Sequence, residues 1–201
     1  MDNADHLSRS IDLAVAAIKG ASLARYDDPS PCSDYSVREV VNHIAFGFLL
    51  AHRSATRQAW DPSWTAADRT PYLQGRPESE WAQACTEEAT ATAQAWSAPA
   101  AWEGESHMGG SAMPAAAIGS MMTAEFVVHA WDLATATGQP FHVPSGLDDV
   151  VLEGVEAMAP SGRDGGWFAP EVQLPADATV FERALAASGR DPRWTPPASN
   201  P

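Results

Sequence analysis

Apolar residues recur every three or four positions along most of the chain, which is the spacing of amphipathic α-helices. A first helix is predicted from Asn3, its expected cap, to Gly20, where glycine favours a stop. Its apolar stripe consists of Leu7, Ile11, Val15 and Ile18. A second helix is predicted over residues 36–58, because Ser36 and Glu39 have the spacing of a capping box and apolar positions follow them.

Two further helices complete the main pattern. The third is expected after Pro77 and before Pro99. Its apolar side is formed by Trp81, Cys85, Ala89, Thr92 and Trp96. A Gly-rich break over residues 104–110 precedes the fourth helix, which is expected to have Pro114 as its first residue and to end at Gly138.

The remaining segments have weaker signals. Residues 61–77 mix Pro, Asp, Gly and Trp without periodicity, which indicates a long loop between the second and third helices. A shorter helix around 147–158 and a last helix around 181–187 are predicted after the fourth, with at most a strand fragment at 172–174 and a frayed tail at 196–201. The sum is an all-α four-helix bundle, residues 1–140, with a small C-terminal helical extension, residues 141–201, packed on it.

Composition narrows the classes of function. The chain of 201 residues has a formal net charge of −14, so nucleic acid and anionic membrane surfaces are excluded as expected partners. Two cysteines are too few for a disulfide scaffold, and acidic residues occupy the N-terminus where a signal peptide would be basic. We therefore expect a cytoplasmic protein. We also expect it to be a monomer or a homodimer.

The fourth helix carries the polar residues that could bind a metal ion or take part in catalysis. It is apolar nearly all round, yet Glu125 and His129 lie one turn apart on one face, and Asp132 follows on the same side. A buried carboxylate needs a partner or a cation. His43 on the second helix offers a third ligand, which gives the two-histidine, one-carboxylate set of a catalytic zinc site, although iron, nickel or cobalt would also suit it. Asp132 would then orient the ring of His129.

Other readings of these residues stay open. Glu125 and His129 have the spacing of a simple hydrogen-bonded pair, whereas His52 is about 180° away from His43 around its helix. Cys32 is either a small buried residue or a ligand or reactive thiol, and Trp131 is either a core residue or the wall of a pocket. The arginines that are candidates to bind an anionic substrate are Arg53 and Arg57 on the second helix and Arg69 and Arg76 in the long loop.

Two segments also resemble a known family. The sequences Pro31-Cys-Ser-Asp-Tyr-Ser-Val-Arg-Glu-Val-Val-Asn-His43 and Ala124-Glu-Phe-Val-Val-His-Ala-Trp-Asp-Leu-Ala-Thr-Ala-Thr-Gly-Gln139 resemble the signature segments of the mycothiol-dependent maleylpyruvate isomerase-like branch of the DinB/YfiT-like superfamily. The resemblance extends to residues 168–177 and 185–192 near the C-terminus. It implies a DinB-like four-helix bundle whose divalent metal is held at the positions of His43, Glu125 and His129. Ala130 and Thr135 depart from it, since relatives often have Gly and Arg there.

The resemblance also implies a class of chemistry. Family members use a thiol cofactor such as mycothiol for S-transfer or thiol-assisted isomerisation. We therefore expect a metal-dependent enzyme that activates a low-molecular-weight thiol toward a small electrophilic substrate. The alternatives are a metal-containing protein that binds and sequesters a small molecule, and a helical partner-binding protein in which the metal only fixes the fold.

Overall fold

The computed structural model describes residues 2–59, 61, 71–108 and 110–197. In this part of the chain there are six α-helices and one two-stranded hairpin. The helices are α1 (Asn3–Gly20), α2 (Val37–Ala55), α3 (Trp81–Trp96), α4 (Ala115–Thr137), α5 (Leu147–Asp164) and α6 (Val180–Ala187), and the strands are β1 (Glu105–Met108) and β2 (Ser111–Pro114). The predicted all-α class is confirmed.

Helix α4 occupies the centre of the molecule. In the bundle, α1 packs against α3 and α4, and α2 packs against the same two helices. The other side of α4 contacts α5, which in turn packs on α6. Of the 23 residues of α4, 16 are buried, so most of this helix is enclosed between the bundle and the C-terminal helices. None of the helices in the described residues is long and apolar enough to cross a membrane.

Local signals set several helix ends. The capping box of α2 is confirmed, since the Ser36 hydroxyl accepts the Glu39 N–H and the Glu39 carboxylate accepts the Ser36 N–H. The expected cap of α1 is wrong by one residue: Asp2 is the cap, and its carboxylate accepts the N–H of Asp5 at 2.9 Å. A carboxylate there also lies at the positive end of the helix dipole.

The stripe predicted for the third helix is confirmed, because the buried residues of α3 are Trp81, Cys85, Ala89, Thr92 and Trp96. The second helix was expected to continue to residue 58, but α2 ends at Ala55. Arg57 therefore lies beyond the helix, with a left-handed φ of 52°. Of the long loop, residues 62–70 fall outside the described part of the chain, and with them Arg69.

The Gly-rich break before the fourth helix is a β-hairpin, which the sequence did not predict. Strands β1 and β2 pair antiparallel, and buried Ser106 donates its hydroxyl to the Ser54 carbonyl of α2 at 2.6 Å. Each strand has only 4 residues, too few for an alternating pattern to be recognised. Pro114 ends β2 and caps α4, so the prediction that it is the first helical residue is also wrong.

The C-terminal region follows the predicted order with different lengths. Helix α5 spans 18 residues and includes Pro160, so it is longer than expected. Residues 172–174 are not assigned to a strand, although the Val172 N–H donates to the Ala186 carbonyl at 3.1 Å. Residues 198–201 of the predicted tail lie outside the described residues. The division of the chain at residue 140 stays a prediction.

Candidate metal centre

His43 of α2 and Glu125 and His129 of α4 meet between the two helices. Nε2 of His43 lies 2.7 Å from Oε1 of Glu125, and Nε2 of His129 lies 3.1 Å from the same oxygen. The three donor atoms all lie within 4.8 Å of one another. The structure therefore brings together the three residues that the sequence singled out as metal ligands; their role as ligands stays a prediction.

A close approach of α2 and α4 makes this meeting possible. A Cβ atom on Gly47, one turn after His43, would lie 3.2 Å from the ring of Phe126, the neighbour of Glu125. A side chain at position 47 would thus press against α4, whereas glycine lets the helices pack closely.

The electrostatics of the cluster favour positive charge. Burial alone would raise the pKa of Glu125, but the charges and hydrogen bonds of His129 and His43 outweigh it and hold this pKa well below its usual value. Burial alone would lower the pKa of His129, yet the carboxylates of Glu125 and Asp132 raise it to about 9. Glu125 is therefore ionised, and the cluster attracts either a proton or a metal cation.

Asp132 supports the far side of the His129 ring. Its Oδ2 lies 2.9 Å from Nδ1 of His129; the role predicted for Asp132 in orienting this ring stays a prediction. Nδ1 of His129 is buried and has no partner in hydrogen-bond geometry among the described residues. The Asp132 oxygen therefore lies off the direction of the ring N–H. The contact is thus mainly electrostatic. It leaves Nε2 as the nitrogen that faces Glu125 and His43.

Sequence reasoning missed Arg190. This arginine follows α6, is 5% exposed, and donates to both carboxylate oxygens of Asp132 at 3.0 and 3.3 Å. Burial alone would raise the pKa of Asp132, but the charge of Arg190 lowers it. The only available signal was the position of Arg190 within the closing segment that resembles the family, to which no role was assigned.

Cys32 also lies beside the cluster. Its Sγ is within 4.8 Å of donor atoms of His129 and Asp132. Burial, with the negative charge of Asp132 adding to it, raises the pKa of the Cys32 thiol to about 12. The thiol is therefore protonated at neutral pH in the metal-free protein, which disfavours a reactive thiol. A role as a ligand stays open, because a bound cation would lower this pKa.

The other candidates lie apart from the three residues. Trp131 is 8% exposed and packs in the apolar cluster that joins α4 to α5 and α6, which favours the core residue over the pocket wall. Arg53 is ten residues, about 15 Å along α2, from His43, and donates to the Ala59 carbonyl. Arg57 donates to the carbonyls of Ala100 and Glu103.

The histidine on the opposite side of α2 is placed as expected. Nδ1 of His52 lies 3.9 Å from Oε1 of Glu88 on α3, so His52 faces α3 and not α4. Arg76 is exposed in the segment before α3. Of the four arginines considered for an anionic substrate, Arg53 and Arg57 thus bind backbone carbonyls outside the cluster, and a role for Arg76 stays a prediction.

A small pocket borders the cluster on its C-terminal side. Its free volume is about 10 Å³, which is room for about one water molecule. Its lining comes from α4, from α5, from Phe168 and from the segment after α6: Ala124, Glu125, Val128, His129, Val155, Met158, Phe168, Ser188 and Arg190. Two of the three candidate ligands, Glu125 and His129, thus line this small space.

Fold and site together define a helical-bundle protein with a candidate metal centre between α2 and α4. Residues 4–134 match the family described as the mycothiol maleylpyruvate isomerase N-terminal domain. The chain belongs to this family, as the two signature segments indicated. It is also 25% identical over 188 residues to uncharacterized proteins of two Mycobacterium tuberculosis strains, CDC 1551 and H37Rv, a match that covers 92% of this chain and 96% of each relative.

Solved structures share the fold. Crystal structures of the mycothiol-dependent maleylpyruvate isomerase and of its variant with one histidine replaced by alanine superpose with TM-scores of 0.67 and 0.70. The identities are 16% and 14%, and each match covers 94% of this chain and 90% of the other. The expected DinB-like bundle is confirmed by this likeness.

Proposed function

We propose that this chain is a divalent-metal-dependent enzyme that activates a low-molecular-weight thiol of the mycothiol class. The thiol would serve in isomerisation of, or S-transfer to, a small electrophile. The observation that carries the proposal is the convergence of the donor atoms of His43, Glu125 and His129 within 4.8 Å of one another. Membership of the family supports a thiol as cosubstrate, because the two solved structures named above are of an isomerase that depends on mycothiol.

The residues present fit a divalent cation. They offer two imidazole nitrogens and one carboxylate oxygen, the donors that zinc accepts, and three protein ligands leave a fourth tetrahedral position for a substrate. Glu125 is ionised and its side chain is 28% exposed, which agrees with a ligand at the edge of a pocket. Zinc is the first choice, and nickel, iron and cobalt share the same donor preference.

When bound there, the cation would lower the pKa of a coordinated thiol and so supply a thiolate at neutral pH. The chain's own residues prepare the position. Asp132, held by Arg190, attracts the Nδ1 side of His129 and so keeps Nε2 directed at the centre. Val155 and Phe168 line the small space beside Glu125 and His129 and limit the access of bulk water to that side of the centre.

The test is turnover with a thiol. Zinc-loaded protein is mixed with mycothiol and a panel of small electrophiles that includes maleylpyruvate, and both thiol consumption and isomerised product are measured. We expect activity that needs zinc and thiol together and that is lost in His43→Ala. The matched control is His52→Ala on the same helix, which should retain full activity.

The outcomes separate the two main alternatives. If the protein binds thiol but turns over none of the electrophiles, the hypothesis of an enzyme is wrong, and the hypothesis of a protein that sequesters a small molecule takes its place. Absence of thiol binding by zinc-loaded protein would contradict both. Activity that persists below the usual thiol pKa of about 8.5 would support a thiolate supplied at the centre.

A further inference from the structure

We infer that Tyr35 is a positioning residue for His43, and that its ring holds the imidazole in the orientation in which Nε2 faces Glu125. The inference rests on the proposed function, because it concerns how tightly the candidate metal centre would hold a cation. Tyr35 and His43 lie in the same segment that resembles the family, residues 31–43, yet the resemblance assigns no role to Tyr35.

The ring of His43 needs neighbours to fix its direction. The torsion between Cβ and the ring of a histidine has a broad energy minimum, so the rotamer preference of the residue does not determine where Nε2 points. The contact of Nε2 with Oε1 of Glu125 at 2.7 Å involves the nitrogen that would bind a cation, so it is given up on coordination. Contacts elsewhere on the ring must therefore preorganise it for binding.

Two aromatic rings lie against the imidazole of His43. The centroid of the Tyr35 ring is 5.2 Å away with the planes inclined at 31°, and that of the His129 ring is 4.6 Å away with the planes at 66°. Both distances are within the range of about 4.5–7 Å over which aromatic rings attract each other. His129 is itself a candidate ligand, whereas Tyr35 is not. The Tyr35 ring thus limits rotation of the imidazole from outside the ligand set.

The loop that carries Tyr35 is fixed at several points. Pro29 and Ser36 form an antiparallel bridge that closes it. Inside the loop, the Tyr35 N–H donates to the Cys32 carbonyl at 2.8 Å, and the Tyr35 carbonyl accepts the hydroxyl of Ser30 at 2.7 Å. Ser30 is buried, and the half-buried side chain of Tyr35 packs against the core of the bundle. The backbone that presents the ring to His43 is therefore held on both sides.

An aromatic ring suits a histidine that binds a cation. Coordination at Nε2 would draw electrons from the imidazole of His43 and give it partial positive charge, and the electron-rich face of an aromatic ring attracts such a group. An aliphatic side chain of similar size would fill the space without this attraction and without a flat surface against which the imidazole stacks. The effect of Tyr35 is therefore expected to depend on its ring and not on its hydroxyl.

The zinc affinity of four variants, measured by competition with a chelator, tests the inference. We expect a fall of about tenfold or more in Tyr35→Leu and in Tyr35→Met, the second being included in case the first does not fold. Tyr35→Phe, which keeps the ring, should bind zinc as the wild type does. Tyr72→Leu is the matched control and should also keep the wild-type affinity, because Tyr72 is half-buried and packs on Phe46 of α2, with 5.9 Å between the ring centroids.

The contact between the two rings is measured separately in metal-free protein, by NMR of the histidine ring protons. The His43 signal is assigned from its absence in His43→Ala. It should move in Tyr35→Leu, because the ring current of the tyrosine is lost, and stay near its wild-type position in Tyr35→Phe. His52, which faces α3, is the internal control, and its signal should not move.

Each outcome bears on the inference. Wild-type zinc affinity in folded Tyr35→Leu and Tyr35→Met would overturn it, as would an equal loss in Tyr72→Leu or a tenfold loss in Tyr35→Phe. If the wild type binds no zinc, the proposed function fails. A His43 signal that moves in Tyr35→Leu but not in Tyr35→Phe then still supports the positioning of His43 by the ring, whereas a signal that stays in place in both overturns it as well.

Discussion

Arg190 donates two N–H groups to the carboxylate of Asp132 across 58 residues of sequence, and both side chains are buried. Asp132 in turn lies 2.9 Å from the ring of His129. The carboxylate that lies beside a candidate ligand in the bundle is thus paired with a residue of the C-terminal region. This connection explains how the two parts of the chain can form one site.

Breaking this buried pair should destabilise the fold strongly. Arg190→Gln leaves the Asp132 carboxylate buried without its partner, and we expect the free energy of unfolding to fall by about 3–5 kcal/mol. Urea denaturation measures it. Arg193→Gln is the control, because Arg193 is 73% exposed and pairs with Asp191 on the surface, where the loss should stay below about 1 kcal/mol. Equal losses in the two variants would contradict the structural importance of the buried pair.

Asp132→Asn should weaken metal binding without removing a ligand. The amide keeps the size of the side chain but loses the charge that attracts Nδ1 of His129. We expect zinc affinity to fall about 10–100-fold, measured by competition with a chelator. Asp191→Asn, in the same C-terminal ion-pair region but exposed, should leave the affinity unchanged. If Asp132→Asn binds zinc as the wild type does, Asp132 does not support the ligand.

The pH dependence of metal-free protein should report on His129. Its folded pKa of about 9 lies above the usual value of 6.5, so the protonated ring contributes stability that is complete below about pH 6.5. This contribution is lost as the pH rises through about 9. We therefore expect the melting temperature of chelator-treated protein to fall between these values. The decline should be absent in His129→Gln, and a flat profile in the wild type would contradict the ring's charged interactions.

Both cysteines should resist alkylation in the folded state. Burial raises the pKa of Cys32 and of Cys85 to about 12, so neither forms a thiolate at neutral pH. Iodoacetamide at pH 7.5, followed by mass spectrometry, should modify neither thiol within the time that labels the urea-unfolded chain completely. Rapid labelling of folded Cys32 would restore the reactive-thiol alternative.

Removal of the metal should lower the melting temperature without unfolding the chain. The bundle has an apolar core that includes Leu7, Val40, Phe48, Trp96 and Phe126 and contains none of the three candidate ligands. Helical circular dichroism should thus persist after chelation, unlike that of a zinc finger. Loss of the helical signal would show that the cation is needed for folding.

The sequence predicted what depends on short-range spacing. The stripe of α3 and the capping box of α2 are local patterns, and Glu125 and His129 lie one helical turn apart. What it missed depends on tertiary contacts. The hairpin is stabilised by Ser106 against α2, and Arg190 reaches Asp132 only after α6 has packed. The partners in these two contacts are far apart in the sequence, with no helical spacing between them. The sequence alone therefore could not predict that they meet.

The metal content of ligand variants tests the central claim most directly. Protein purified without added ions is loaded with zinc, dialysed and analysed by mass spectrometry for bound metal. We predict one equivalent in the wild type and in His52→Ala, and none in His43→Ala, Glu125→Ala or His129→Ala, each still helical by circular dichroism. Full zinc occupancy in both His43→Ala and His129→Ala would contradict the metal centre proposed here.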